Sequence, residues 1–288
     1  MYAMLIAIAA LWGAAAGLLV PRAAYRFSVE PEDAWRDTCP AGHPFSGVAR
    51  GWLGSTRCSA CAGGAGVRPA PQTKAATGPV PAAEPAGPGE SGWGESAGTA
   101  GGPVETGARY APAVLAPVVT TLGCAALAAA TGLRPELVVW LLLAPVAVLL
   151  ATIDRRVHRL PDQLTLPLAG AAAALLGGAA LLPEHGGSWP SALLGGLALG
   201  GFYFLLFLVN PNGMGFGDVK LALSLGVALG WYGWAVVFAG GFAGFVLGAV
   251  YGFGLMVLRR AGRKTGIPFG PFMIAGALLG ILFGAVSA

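Results

Sequence analysis

Three aspartates lie at the ends of apolar stretches: Asp154, Asp162 and Asp218. An ionisable group placed where a chain enters a membrane is a functional candidate by default, because leaving it there is costly. The plain alternative is an interfacial carboxylate paired with Arg155, Arg156 or Arg159. Asp218 has a more particular setting, closing Gly215-Phe216-Gly217-Asp218 ahead of Val219-Lys220-Leu221. Two glycines at that spacing weaken a helix interior and allow close backbone approach, so the tetrapeptide is expected to mark an irregular helix start. Irregular backbone at membrane depth is tolerated where it is buried in protein or lines a wet cavity, and an extended peptide could pair with it. Two carboxylates from separate spans could form an aspartic-protease pair, one protonated and one activating water. Spacing puts Asp154 and Asp218 at helix ends on one side without showing that they meet.

A second group is polar and sulfur-bearing. Cys39, Cys58 and Cys61 cluster in a polar segment where metal ligation is a better reading than pairing, whereas Cys124 stands alone in an apolar run. Glu136 and Glu184 fall in loops on the opposite side from the aspartates and are expected to be solvated.

The elements that must position these groups are membrane helices. Of 288 residues, 56% are hydrophobic and 10% charged, and mean hydropathy is +0.70. A soluble domain carries about 25% charged residues, so lipid is the main solvent here. Met1–Val20 is uncharged and its first basic residue, Arg22, follows the apolar stretch, which reads as an uncleaved anchor rather than a secretory signal. Further spans are expected at Pro112–Ala130, Leu137–Ile153, Gln163–Leu182, Ser191–Val209 and Phe269–Val286. Leu221–Leu258 contains no charge, and as one helix it would rise about 57 Å, nearly twice a bilayer core. It must fold back, with Gly230-Trp231-Tyr232-Gly233-Trp234 as the turn and its aromatics at an interface. The leg before that turn is too short to cross alone, which draws Asp218 toward the membrane.

The expected fold is therefore all-α and polytopic, with about eight transmembrane helices. With the N-terminus outside, sixteen of the seventeen Lys and Arg fall on the cytoplasmic side and Arg134 alone lies outside. The reading divides the chain into a first helix (1–20), a cytoplasmic Cys-containing segment (21–62), a low-complexity insertion (63–109) and a membrane core (110–288). The insertion holds twelve Gly and seven Pro and is expected to be disordered, since it cannot bury enough apolar surface to offset its ordering entropy.

Taken together, Ile153-Asp154 with Pro161-Asp162, Gly215-Phe216-Gly217-Asp218-Val219-Lys220-Leu221, and Ile267-Pro268-Phe269-Gly270-Pro271-Phe272 resemble the type IV prepilin peptidases, the GxGD class of intramembrane aspartic proteases. Gly17-Leu18-Leu19-Val20-Pro21-Arg22 with Tyr25-Arg26, and Arg109-Tyr110, are similar to the family's pattern as well. The resemblance covers nearly the whole chain outside the insertion. It implies an endopeptidase with Asp154 and Asp218 as the catalytic pair, Asp162 shaping the loop or standing as runner-up for the first acid, and Lys220 either steadying a nearby carboxylate or serving as a plain positive-inside anchor. Gly215, Gly217, Pro161, Pro268 and Gly270 are its supporting motif residues. Its substrates would be type IV pilin-like precursors, cut at the cytoplasmic face of the inner membrane to release a short basic leader.

Many members of that family carry two Cys-x-x-Cys pairs after the first span. Here Cys58-Ser59-Ala60-Cys61 keeps one pair, while the other is Cys39-Pro40-Ala41-Gly42-His43. Cys39, His43, Cys58 and Cys61 would still satisfy the preference of zinc for four N or S ligands, and a remnant that binds nothing is the alternative. Proteolysis by two carboxylates needs no cofactor. S-adenosylmethionine would enter only if the chain also methylates the new N-terminus, as some members do, and no nucleotide fingerprint is present. The partners implied are pilin-like precursors and the lipid bilayer, with no nucleic acid. The alternative function is a proton- or cation-coupled transporter with an aspartate relay, although no second GxGD-like break marks an inverted repeat.

Overall fold

The computed structural model describes residues 2–29, 33–54, 56–63, 114–211, 214–258 and 268–288. Among these the helices are α1 (Tyr2–Gly17), α2 (Val20–Phe27), α3 (Val48–Gly51), α4 (Ser59–Ala62), α5 (Leu115–Thr131), α6 (Glu136–Val157), α7 (Asp162–Ala179), α8 (Trp189–Val209), α9 (Phe216–Gly230), α10 (Trp234–Val257) and α11 (Gly270–Ser287). The described residues form no strand, only an isolated bridge between Thr38 and Pro44. The fold is that of an all-α polytopic membrane protein. Residues 64–109, most of the expected insertion, and Arg109-Tyr110 lie outside the described residues, as does Ile267 of the last motif.

Among the described residues, five units are long and apolar enough to cross a bilayer: α1 with α2 (Tyr2–Phe27), α6, α8, α10 and α11. The remaining three apolar segments are also helices. α5 has 17 residues and α9 has 15, while α7 is diluted by Asp162, Gln163 and a run of Gly and Ala. The first span differs from its expected end at Val20. The helix breaks at Gly17, restarts at Val20 with Pro21 in its first turn, and continues to Phe27, because proline is tolerated where no intrahelical N–H bond is required.

α9 is the hub, packed against α7, α8, α10 and α11, with every residue from Leu221 to Gly230 buried except Leu223. It can be central because small residues let its backbone approach its neighbours. A Cβ on Gly195 of α8 would sit 2.7 Å from the Gly226 carbonyl oxygen and 2.7 Å from the Gly230 Cα. Gly240 and Gly244 on α10 meet Gly276 and Gly280 on α11 in the same way. In lipid, where apolar helices gain little by hiding from the solvent, such close contact is a main source of association.

α9 and α10 are separated by the expected turn, and Gly233 adopts φ +103 there, a conformation open to glycine. Its aromatics do not all lie at an interface. Trp231 is among the largest fully buried side chains, Tyr232 is half-buried, and only Trp234 is exposed. Glu136 also departs from expectation, being 0% exposed rather than solvated. It opens α6, where a carboxylate is favoured by the helix dipole, and its Oε1 accepts the Gly186 N–H at 3.0 Å.

Candidate active site

Asp154 and Asp218 come from α6 and α9 and are 4% and 8% exposed. They lie within electrostatic reach of one another. Asp154 sits in the last turn of α6. His158 caps that helix in the left-handed region (φ 51), its N–H donating to the Asp154 carbonyl at 2.8 Å, and its ring lies within electrostatic reach of the Asp154 carboxylate. A histidine held at positive φ is a local strain that surrounding structure must maintain, and here it turns the chain sharply into the Leu160-Pro161-Asp162 corner.

None of the neighbouring arginines pairs with Asp154 among the described residues. The Gly270 N–H, at the start of α11, donates to its Oδ2 at 2.9 Å. Helix starts leave N–H groups unpaired, so a carboxylate aimed there gains a charge-assisted bond and a favourable dipole. Gly270 also supplies space. A Cβ on it would stand 2.9 Å from Asp154 Oδ2 and 3.2 Å from Cγ, closer than a carbon is tolerated. The motif around Pro268 and Gly270 thus delivers one backbone amide to one carboxylate.

Asp218 occupies the first turn of α9. Gly215 is the extended N-cap residue (φ −72, ψ 142), and its carbonyl accepts the Asp218 N–H at 3.0 Å. Gly217 faces Leu160, whose Cβ would lie 3.0 Å from a Cβ at that position. The second glycine therefore lets the corner after α6 close onto the start of α9. The helix starts at Phe216, directly after the extended Gly215.

Asp162 does not join the pair. Its side chain is 59% exposed, and its Oδ2 lies 2.6 Å from Lys220 Nζ. Lys220 also lies over the Phe216 ring at 4.8 Å. The cation thus ties the start of α7, where Pro161 is the extended N-cap residue, to the start of α9. Tyr203 of α8 is a member of the site that the sequence patterns do not single out. It is buried, stacks on Phe245 at 5.4 Å and lies within electrostatic reach of Asp218. Phe269 packs on Phe245 at 5.2 Å, which makes an aromatic wall beside the pair. A tyrosine inside an apolar span is the signal that could have found it.

The second polar group also assembles. The ligand atoms of Cys39, His43, Cys58 and Cys61 all lie within 4.8 Å of one another. His43 Nδ1 is 3.3 Å from Cys61 Sγ, 3.7 Å from Cys39 Sγ and 3.8 Å from Cys58 Sγ, and the Cys39 and Cys61 sulfurs are 3.8 Å apart. A tetrahedral ion with bonds of about 2.0–2.3 Å spaces its ligands by roughly 3.3–3.8 Å. The four residues could therefore hold a metal ion. A turn with Gly42 at φ +79 folds His43 back on Cys39, and α4 carries Cys61 back toward Cys58. Burial and the adjoining thiols push the Cys61 thiol up to about 12, whereas against burial the hydrogen bonds from Cys61 and Cys39 hold the Cys58 thiol below its usual range. α2 docks on this segment through Arg26, whose guanidinium lies 3.9 Å from the centre of the Trp52 ring.

Comparison with known proteins agrees with the geometry of the membrane part. The sequence model of the Type IV leader peptidase family matches residues 141–286, which include both aspartates, Lys220 and Gly270 but not the four residues of the metal cluster. The chain is 39% identical over 147 residues to a prepilin leader peptidase/N-methyltransferase of Aeromonas salmonicida (strain A449), covering 50% of this chain and 48% of that protein. It is 34% identical over 156 residues to a protein of the same name from Pseudomonas aeruginosa, with 51% and 48% covered. With the Bacillus subtilis protein of that name it shares 35% identity over 99 residues, 34% of this chain and 38% of the other. The matched part spans about half the length of most of these relatives. No solved structure matches the chain.

Proposed function

Because the chain belongs to the type IV leader peptidase family, we propose that it is a membrane-embedded aspartic endopeptidase that removes the leader from type IV pilin-like precursors. The observation that carries this reading is the burial of two carboxylates, from α6 and α9, within electrostatic reach of one another, one of them held by the Gly270 amide. Two carboxylates close together in a medium of low dielectric resist joint ionisation. One keeps a proton, while the other takes a proton from water as the water oxygen attacks the scissile carbonyl. The protonated carboxyl then hydrogen-bonds the developing oxyanion, and collapse of the tetrahedral intermediate expels the amine with a proton. Asp162, paired to Lys220 and mostly exposed, is assigned the task of holding the α6–α7 corner against α9.

In this reading, residues 110–288 form the peptidase core and the first span anchors the segment that carries Cys39, His43, Cys58 and Cys61. A zinc ion there would have a structural role, its four protein ligands closing the tetrahedron and leaving no open position for catalysis. The site faces the cytoplasm and the N-terminus lies outside, a reading supported by the sorting of sixteen of seventeen cations to the side of the aspartates. The membrane would be the inner, cytoplasmic one. A coupled transporter gains no support from the family or from the site.

The test is cleavage of a pilin-like precursor by the full chain purified in detergent. Asp154→Asn and Asp218→Asn should each abolish formation of the shortened product while leaving membrane insertion intact. Wild-type cleavage by either variant would sink the assignment. A mass gain of one methyl group on the product, dependent on S-adenosylmethionine, would extend the reading to methylation.

A further inference from the structure

A cavity of about 490 Å³ lies between α5, α6, α9 and α11, and neither Asp154 nor Asp218 lines it. Its α6 wall runs from Trp140 to Arg156, roughly 24 Å at 1.5 Å rise per residue. The space is long and walled largely by apolar side chains, a shape suited to an extended hydrocarbon chain.

The chemistry of the walls points the same way. The hydroxyls that line the cavity are satisfied by their own helices: Thr120 bonds the Ala116 carbonyl, Thr152 that of Val148 and Ser224 that of Leu221. The Trp140 N–H is likewise taken by the Tyr232 hydroxyl. Little along the length asks for a polar ligand. At one end Arg155 and Arg156 line the opening, and among the described residues neither forms an ion pair with a carboxylate. Arg36 and Tyr25 lie within electrostatic reach of Arg156, and Arg36 is a third guanidinium. An apolar slot capped by guanidiniums that lack a carboxylate partner matches a molecule with a long hydrocarbon tail and an anionic head.

The geometry points to a lipid site: this cavity binds one acyl chain of an anionic phospholipid, with the phosphate held by Arg155 and Arg156. The opening lies on the same end of the bundle as the aspartates, where α6 ends. Its occupant would fill the gap between α5 and the α6–α11 pair.

Two variants address the two ends of the ligand. A Cβ on Gly123, which lines the cavity, would meet nothing within 4 Å, so Gly123→Leu fills the slot without a clash at its first carbon. Arg155→Gln with Arg156→Gln removes the charges, and because Arg155 is exposed and Arg156 half-buried this pair keeps the test readable if Gly123→Leu does not fold. The full chain is reconstituted in nanodiscs of phosphatidylcholine containing phosphatidylglycerol, extracted in mild detergent and weighed by native mass spectrometry. One phosphatidylglycerol should remain per chain, and its retention should fall at least tenfold in the arginine variant and in Gly123→Leu. Millimolar inorganic phosphate should not displace it, because phosphate offers no chain for the slot. Equal retention of phosphatidylcholine, absence of stoichiometric lipid, displacement by inorganic phosphate alone, or stoichiometric displacement by an apolar transmembrane peptide would each overturn the proposal. So would full retention by folded Gly123→Leu.

Discussion

On the proposed peptidase mechanism, Gly270→Ala should disable cleavage while leaving the protein folded. The added methyl would stand 2.9 Å from Asp154 Oδ2, and ordinary contact begins near 3.4 Å, so something must move by about half an ångström. Backbone at the start of α11 is held between α6 and α10, which leaves the carboxylate as the part that yields. Moving it weakens the 2.9 Å bond from the Gly270 N–H. Hydrogen bonds to a charged group contribute about 1.5–3 kcal/mol, and misplacing a reacting group by around 1 Å can cost about 100-fold. We expect kcat/KM to fall by about 100-fold, or ~2.7 kcal/mol of transition-state stabilisation, with most of the loss in kcat. Substrate binding through an apolar helix would be little changed. The assay is steady-state cleavage of a pilin-like precursor in detergent, with thermal unfolding measured alongside. Gly178→Ala on α7 serves as the control, since a Cβ there meets nothing within 4 Å. Activity within about threefold of wild type for folded Gly270→Ala would refute the positioning of Asp154 by this amide.

Other expected outcomes separate the remaining roles. Asp162→Asn should lower activity only several-fold and the Asp162–Lys220 coupling, from a double-mutant cycle in thermal unfolding, should be about 1 kcal/mol or less, as befits a partly exposed pair. Loss of cleavage as complete as in Asp154→Asn would instead make Asp162 the first acid. Purified wild-type protein should carry one zinc per chain by elemental analysis, and His43→Ala or Cys58→Ser should carry well under half of that; zinc-free wild type would leave the four-residue cluster as a remnant. Zinc affinity should rise with pH, by up to about tenfold per unit for each proton displaced, because Cys61 without metal is pushed up to about 12 and must lose its proton to bind. Glu136→Ala should lower stability by about 1–3 kcal/mol through the orphaned Gly186 N–H, without changing kcat of the folded enzyme. An unchanged unfolding midpoint would show that the buried carboxylate is dispensable.

Some of this molecule follows from residue types alone. Apolar runs with few charges can only become membrane helices, because lipid offers no partner to an unpaired backbone, and that constraint is enough to put Asp154, Asp162 and Asp218 at helix ends. The turn between α9 and α10 is equally local, since 38 uncharged residues exceed any bilayer. Local pattern could not choose between Asp154 and Asp162 as the partner of Asp218. That choice depends on Leu160 packing against Gly217 and on Lys220 reaching Asp162, contacts between residues roughly sixty positions apart in the chain. Nor could it reveal that Gly270 serves Asp154, 116 residues away. Glu136 and Trp231 depart from expectation for the same reason: composition assigns a loop residue to water or an interface, whereas burial is decided by which helices pack around it. What the sequence determined by itself was the kind of environment most groups would meet, because hydrophobicity is additive along a segment. Which carboxylates are buried within reach of one another, and which amide holds one of them, was decided only by the packing of α6, α9 and α11, because a contact between distant residues is a property of the assembled bundle.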